Sequence, residues 1–315
     1  MRNVQTDKAE PQCDDRERAS GGSDWLSWFD AQRRRVDAEI SKHLNVLKSQ
    51  VNARGKIIES VEYSLANGGK RLRPVLVLEA CRVCGGDERA AWPAALALEC
   101  IHTFSLIHDD LPAMDDDALR RGEATNHVVF GEATAILAGD WLTAHAFGLL
   151  SSSEIEADTA AALLAALAAG TRDMIIGQGA DIACEGEPAD AETVMFIHRH
   201  KTASLLEAAC VMGAISARAS ETHKQALSEY GQRLGLAFQI IDDLLDCTGA
   251  AERLGKRVGK DADASKQTYP AAFGVEASRK QAEEEVSAAI EALEPFGERA
   301  DNLRGLARFV IARDR

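Results

Sequence analysis

From Trp25 onward, apolar positions recur every three or four residues in Ala/Leu-rich stretches, and no run of alternating β-branched residues is framed by hairpin turns. The pattern predicts an all-α chain. Helices are expected over residues 25–49, 56–66, 72–84, 88–110, 133–151, 158–178, 189–218, 222–248, 265–273, 275–293 and 298–312. Three edges carry punctuation: Pro74 follows Arg73 at one helix start, Pro188 precedes another, and Gly85-Gly86 closes a third. Residues 1–23 are polar and end in Gly-Gly-Ser, so they are expected to form a disordered tail ahead of one domain over 24–315.

Composition narrows the function classes. At 315 residues with 46% hydrophobic content, the chain can bury a large core. A net charge of −14 disfavours nucleic acid or an anionic membrane as a partner held by charge alone, although bound metal ions can invert the sign of a local site. No uninterrupted apolar run approaches the roughly 20 residues of a spanning helix. The first 23 residues also lack the apolar centre of a secretion signal, so the expected location is cytoplasmic, with no membrane span. Seven cysteines, an odd number, suit reduced thiols. Without a second pair or a His cluster, Cys81 and Cys84 read as buried helix-end residues rather than a zinc site.

Two acidic clusters break the apolar pattern. In FQIIDDLLD (238–246), Asp242 and Asp246 are four apart and share a helix face, with Asp243 adjacent and apolar residues on both flanks. Buried like charges at that spacing repel unless a cation lies between them. In FSLIHDDLPAMDDDALRRG (104–122), Asp109 and Asp115 are six apart, about 600° on an ideal helix and so about 120° out of line. Pro112 between them is expected to break the helix after Asp110 and let Asp115 swing back. Carboxylate ligands without His or Cys point to Mg²⁺ or Mn²⁺. Mg²⁺ fills its remaining positions with water and substrate phosphate oxygens, so a phosphorylated ligand is expected.

Basic residues complete an anion site. Arg120 and Arg121 follow the aspartates, and GGKRLRP offers Lys70, Arg71 and Arg73 where a glycine turn opens a helix. His102, seven residues before Asp109, is either a phosphate donor or a satisfied buried histidine.

Five blocks, GGKRLRPVL (68–76), IHTFSLIHDDLPAMDDDALRRG (101–122), HKTASLL (200–206), FQIIDDLLD (238–246) and LGKRVGKD (254–261) with Lys266, resemble those of the trans-isoprenyl diphosphate synthases and look most like the bacterial farnesyl diphosphate synthases. The resemblance runs from about residue 35 to the C-terminus. It implies a single bundle of helices around a deep cavity, of isoprenoid synthase type, usually a homodimer, with three Mg²⁺ ions. It places Asp109, Asp115 and Asp242 on metal, supported by Asp110, Asp243 and Asp246. The allylic diphosphate would meet Arg120, Lys201 and Lys256, with Lys266 more distant. Isopentenyl diphosphate would meet Lys70, Arg73, His102 and Arg121, while Thr202 and Gln239 face the reacting carbons. The implied activity is head-to-tail condensation of isopentenyl diphosphate with dimethylallyl or geranyl diphosphate.

Product length is expected from the same blocks. Phe104 lies five residues before Asp109, about 7.5 Å along the helix, next to Ser105. The resemblance makes its ring a floor under the growing chain and implies a C15 product, farnesyl diphosphate. Geranylgeranyl diphosphate (C20) is the alternative. A class I terpene cyclase would not need GGKRLRP, and a non-catalytic synthase subunit would tend to have lost one aspartate motif. Where the family commonly has Gly-Gly-Gln, this chain has Ile176-Gly177-Gln178, which is expected to alter one close helix contact.

Overall fold

The computed structural model describes residues 15–50, 55–152, 154–254 and 267–312. Thirteen α-helices are defined there, in chain order α1 (Asp15–Gln50), α2 (Ile57–Ala66), α3 (Leu72–Val83), α4 (Glu88–Asp109), α5 (Asn126–Phe130), α6 (Glu132–Leu150), α7 (Ala157–Ala183), α8 (Ala191–Ile197), α9 (Ser204–Ser216), α10 (Glu221–Leu254), α11 (Tyr269–Phe273), α12 (Val275–Ala292) and α13 (Asp301–Ala312). The all-α expectation holds. The first helix begins ten residues before its expected start, inside the stretch read as a polar tail, while residues 1–14 lie outside the described residues.

Helices α3, α4, α9 and α10 pack on one another at the centre, with α6 and α7 along one side and α12 and α13 along the other. Burial follows the apolar pattern: Leu76, Leu98, Ile101, Leu205, Leu206 and Tyr230 are all sealed from solvent. Filling such a core is the main favourable contribution to folding. Burial also pushes the Cys81 and Cys100 thiols up to about 12, which keeps these free cysteines unreactive.

Two local features were not expected. Between α4 and α5, strands β1 (Leu119–Arg120) and β2 (Glu123–Ala124) form a small antiparallel hairpin. Its turn residues Arg121 and Gly122 both have positive φ, the shape that matches strand twist, but Arg-Gly is a weak signal for it. Between α8 and α9, residues His198–Ala203 form a π-helical turn, so 191–216 is one rod with a widened turn in the middle. Such turns arise where a regular helix would put a side chain in the wrong place.

The absence of a membrane-length helix needs correction. By length and composition, α4, α6 and α7 are long and apolar enough to cross a membrane. Counting uninterrupted runs missed them because scattered polar residues break a run without much lowering its mean hydropathy. The apolar window of α4 is 61% buried among its neighbours, but those of α6 and α7 are only 33% buried.

Candidate active site

The first aspartate motif lies where α4 stops. Pro112 cannot continue the helix, so α4 ends at Asp109 and the chain turns through Leu111–Asp116. The Asp115 N–H donates back to the Asp109 carbonyl at 2.8 Å, returning the second aspartate to the first. Burial pushes the Asp109 carboxyl up to about 6; Lys201 pulls it down and Asp115 pushes it further up. Asp109, Asp115 and Lys201 therefore share one electrostatic neighbourhood.

Asp110 is 3% exposed and receives Arg120, whose Nε lies 2.7 and 2.9 Å from its two oxygens. Burial alone would lower the Arg120 pKa, but the ion pair with Asp110 outweighs it and holds the guanidinium charged. The hairpin that carries Arg120 and Arg121 is pinned to α2. Tyr63 donates to the Ala124 carbonyl at 2.7 Å, and buried Asn126 bonds Ser60 and Ser64. Arg121 lies over the 67–69 loop, donating to the Gly68 carbonyl, and a Cβ on Gly69 would sit 2.7 Å from its guanidinium.

The GGKRLRP segment divides its three cations. Arg71, at φ 49°, turns inward and is satisfied by Asp37 (2.9 Å), Glu99 (2.6 Å) and the Leu65 carbonyl (2.6 Å). It clamps α1, α3 and α4, so it leaves the anion set in which the segment's spacing had put it. Arg73 differs. Burial lowers its pKa to about 10, against the pull of Glu99 and Asp242, and its Nε is buried with no hydrogen-bond partner. A buried unpaired donor of that kind suits an anionic ligand. His102 lies beside Arg73 and Arg121; burial and these cations hold its pKa well below 6.5, so it stands as a neutral imidazole. The Lys70 ammonium sits 5.5 Å from the Phe238 ring centre.

The π turn supplies the next residues. Lys201 Nζ bonds Asp181 at 2.6 Å, and the Thr202 hydroxyl donates to Gln239 Oε1 at 2.7 Å. Close backbone approach makes this possible: a Cβ on Gly177 would lie 2.2 Å from the Lys201 nitrogen, and one on Gly235 would lie 2.4 Å from the Ala203 Cα. The expected disturbance at Ile176 does not occur, because Ile176 is 46% exposed and Gly177 makes the close contact.

In the second motif, Asp242 couples electrostatically to Arg73 and Asp246 is exposed, whereas Asp243 is 7% exposed. The Gln239 amide donates to Asp243 Oδ1 at 2.9 Å, and the Tyr269 N–H donates to its Oδ2 at 2.8 Å. Among the described residues, no three acidic, His or Cys side chains already converge on a point where they could hold a cation. Lys256 and Lys266 lie outside the described residues.

Motif spacing missed Asp181, which holds Lys201, and Gln178, a buried residue whose amide N and O both lack partners. Gly177-Gln178 followed by Asp181 was the available signal. Phe104 is 7% exposed and packs edge-on against His108, with ring centres 5.7 Å apart. Ser105 is half-buried.

The comparisons with known proteins agree with this geometry. Residues 55–301 match the family model described as polyprenyl synthetase. The chain is 47% identical over 263 residues to a geranylgeranyl diphosphate synthase of Cyanophora paradoxa, covering 82% of this chain and 88% of that protein. It is 47% identical over 266 residues to geranylgeranyl pyrophosphate synthase 12, chloroplastic, of Arabidopsis thaliana, covering 82% and 74%. An apo crystal structure of an FPP/GFPP synthase from Zymomonas mobilis superimposes with a TM-score of 0.80 at 34% identity, covering 92% of this chain and 99% of that one. Two aspartate motifs held apart, a buried cationic pocket beside them and these likenesses together make the chain a member of the polyprenyl synthetase family, the trans-isoprenyl diphosphate synthases.

Proposed function

We propose that this chain is a Mg²⁺-dependent, short-chain prenyltransferase that extends allylic diphosphates with isopentenyl diphosphate to C20, geranylgeranyl diphosphate. The single observation that carries the chemistry is the pairing of Asp109, its carboxyl raised to about 6 beside Lys201, with a separate cationic pocket around the unpaired Arg73 Nε. One region suits a metal-bound diphosphate and the other a diphosphate held by cations alone.

The all-oxygen donors Asp109, Asp115, Asp242 and Asp246 would hold Mg²⁺, which when bound supplies positive charge against the leaving diphosphate. Mn²⁺ shares this preference for oxygen ligands. Lys201 and Arg120, fixed by Asp181 and Asp110, meet the same diphosphate and stabilise charge as the allylic C–O bond ionises. Arg73, Arg121, Lys70 and neutral His102 hold isopentenyl diphosphate, whose double bond attacks the allylic carbon. Thr202 and Gln239 line the reacting carbons, and the departing proton goes to the released diphosphate. The apolar walls exclude water, which would otherwise trap the cation.

Helix geometry supports C20 over C15. Ser105 and Asp109 are four apart and share a face, so a small side chain lies directly below the metal-binding carboxylate. Phe104, five residues away, is rotated by about 140° from Asp109 and faces His108 in the wall. The two named relatives are geranylgeranyl synthases. The C15 reading retains the aromatic ring beside Ser105 itself and the likeness to an FPP/GFPP synthase. Self-association through α6 and α7 accompanies the proposal. Ile136, Leu137, Ile175 and Ile176 on these helices are 43–53% exposed, an apolar face that a second copy would cover.

The test is incubation of the purified chain with dimethylallyl, geranyl or farnesyl diphosphate and labelled isopentenyl diphosphate, with Mg²⁺ or EDTA, followed by chromatography of the products. Metal-dependent extension to C20 is expected. Arrest at C15 would restore the shorter product, and no metal-dependent growth would refute the enzyme. Sedimentation of the same sample should give twice the chain mass.

A further inference from the structure

His198 is 2% exposed, opens the π turn and stacks against Tyr269 with ring centres 5.8 Å apart. Its Nε2 lies 3.0 Å from Asp243 Oδ2, the oxygen that also accepts the Tyr269 N–H, and its Nδ1 is buried without a partner. A carboxylate only accepts, so these contacts order a chain of donors. His198 donates to Asp243, and Gln239 must turn its amide nitrogen to Asp243 and its oxygen to Thr202. The hydroxyl proton of Thr202 is then committed to Gln239. With that proton committed, only lone pairs remain on the outer side of the Thr202 oxygen.

We propose that His198 is a positioning residue for prenyl transfer: by anchoring Asp243 it locks the Gln239 amide and so keeps the Thr202 oxygen lone pairs, not its O–H dipole, toward the ionising allylic carbon. The inference rests on the reading given above. Its physical basis is electrostatic, since a fixed negative dipole end facing developing positive charge in a water-poor cavity lowers the barrier, and the reversed dipole raises it. Releasing Asp243 frees the amide to flip, and the hydroxyl proton to turn inward with it. Asp243 thus has three donors on its two oxygens and serves this relay.

Steady-state kinetics on His198→Ala and His198→Gln test the relay. His198→Ala should lower kcat roughly 10- to 100-fold, the scale on which outer hydrogen-bond partners act at other sites. KM for both diphosphates and the Mg²⁺ requirement should stay within about twofold. His198→Gln keeps an N–H donor and should recover most of the rate. A double-mutant cycle with Thr202→Val should be non-additive, because without the hydroxyl there is no dipole to orient. Wild-type kcat in His198→Ala, additive losses, or a raised Mg²⁺ requirement would overturn the relay. Long-range ¹⁵N–¹H spectra of the imidazole check it without turnover. The ring should carry its proton on Nε2, and a ring protonated on Nδ1 would overturn the relay even if the chain made no product.

Discussion

The Asp115 N–H donates to the Asp109 carbonyl at 2.8 Å, joining two residues that an unbroken helix would hold about 120° apart. The break at Pro112 is what allows it. Pro112→Ala should let α4 run on by part of a turn and draw Asp115 out of line. Activity should fall by about tenfold or more, with a larger Mg²⁺ concentration needed for half-activation, since small misplacements of this kind are costly. A Mg²⁺ titration of activity checks it, and an unchanged midpoint would show that the loop closes without the proline.

Ser105 and Phe104 separate the two product lengths. If the space below Asp109 is bounded at Ser105, Ser105→Tyr should shorten the main product, whereas Phe104→Ala should lower stability by about 3–5 kcal/mol without adding length. If the phenyl ring is the floor, Phe104→Ala should give longer products and Ser105→Tyr little change. Product chromatography and thermal unfolding of both variants decide the matter.

Gly177 sets how closely α7 can approach the π turn. Gly177→Ala places a Cβ 2.2 Å from the Lys201 nitrogen, and backbone cannot yield there as a flexible side chain would. The expected cost is about 1–3 kcal/mol of stability. Because Lys201 moves with its backbone, KM for the allylic substrate should rise as well. Ile176→Ala, at the neighbouring exposed position, adds no contact with the π turn and should leave that KM unchanged.

His43 and His145 sit with their Nε2 atoms 2.7 Å apart, and Trp141 stacks on His145 at 4.5 Å. Burial lowers both pKa values, that of His145 to about 4, with His43 lowering it further, while Glu39 pulls His43 upward. Below pH 6.5 the unfolded chain takes up protons that the folded pair resists. This contribution to stability is therefore complete above about 6.5 and is lost as pH falls toward about 4. Partial exposure reduces it to on the order of 1 kcal/mol. Denaturant melts at pH 7 and pH 5 should show wild type losing more than His145→Gln, and parallel losses would exclude the pair as the cause.

Much of the site was legible because carboxylates and prolines act locally. Asp109, Pro112 and Asp115 announce a broken helix by spacing alone, and Asp242 with Asp246 announces a shared face. Lys201 and Thr202 were legible only through the resemblance, and Asp181 and His198 were not picked out at all. Their roles depend on which helix lies opposite, something no local spacing encodes. Arg71 shows the reverse error. In sequence it is one of three equivalent cations, but a left-handed backbone angle turns it inward onto Asp37 and Glu99. Product length was read from Phe104 by distance along the helix, whereas angle around it separates Phe104 from Ser105.

The π turn at His198–Ala203 holds one residue more than a regular helix would need to cover the same rise. It puts His198 on the Asp243 side, Lys201 against Asp181 and Thr202 against Gln239 within a single turn. Deleting one residue there would let α8 and α9 fuse into a regular rod with a complete ladder of backbone bonds. The side chains of the turn itself would be redistributed around a regular helix, and the three pairings could not all be kept. Such a chain should melt higher and catalyse worse, the trade-off expected where a site keeps a locally less favourable backbone for the sake of its chemistry.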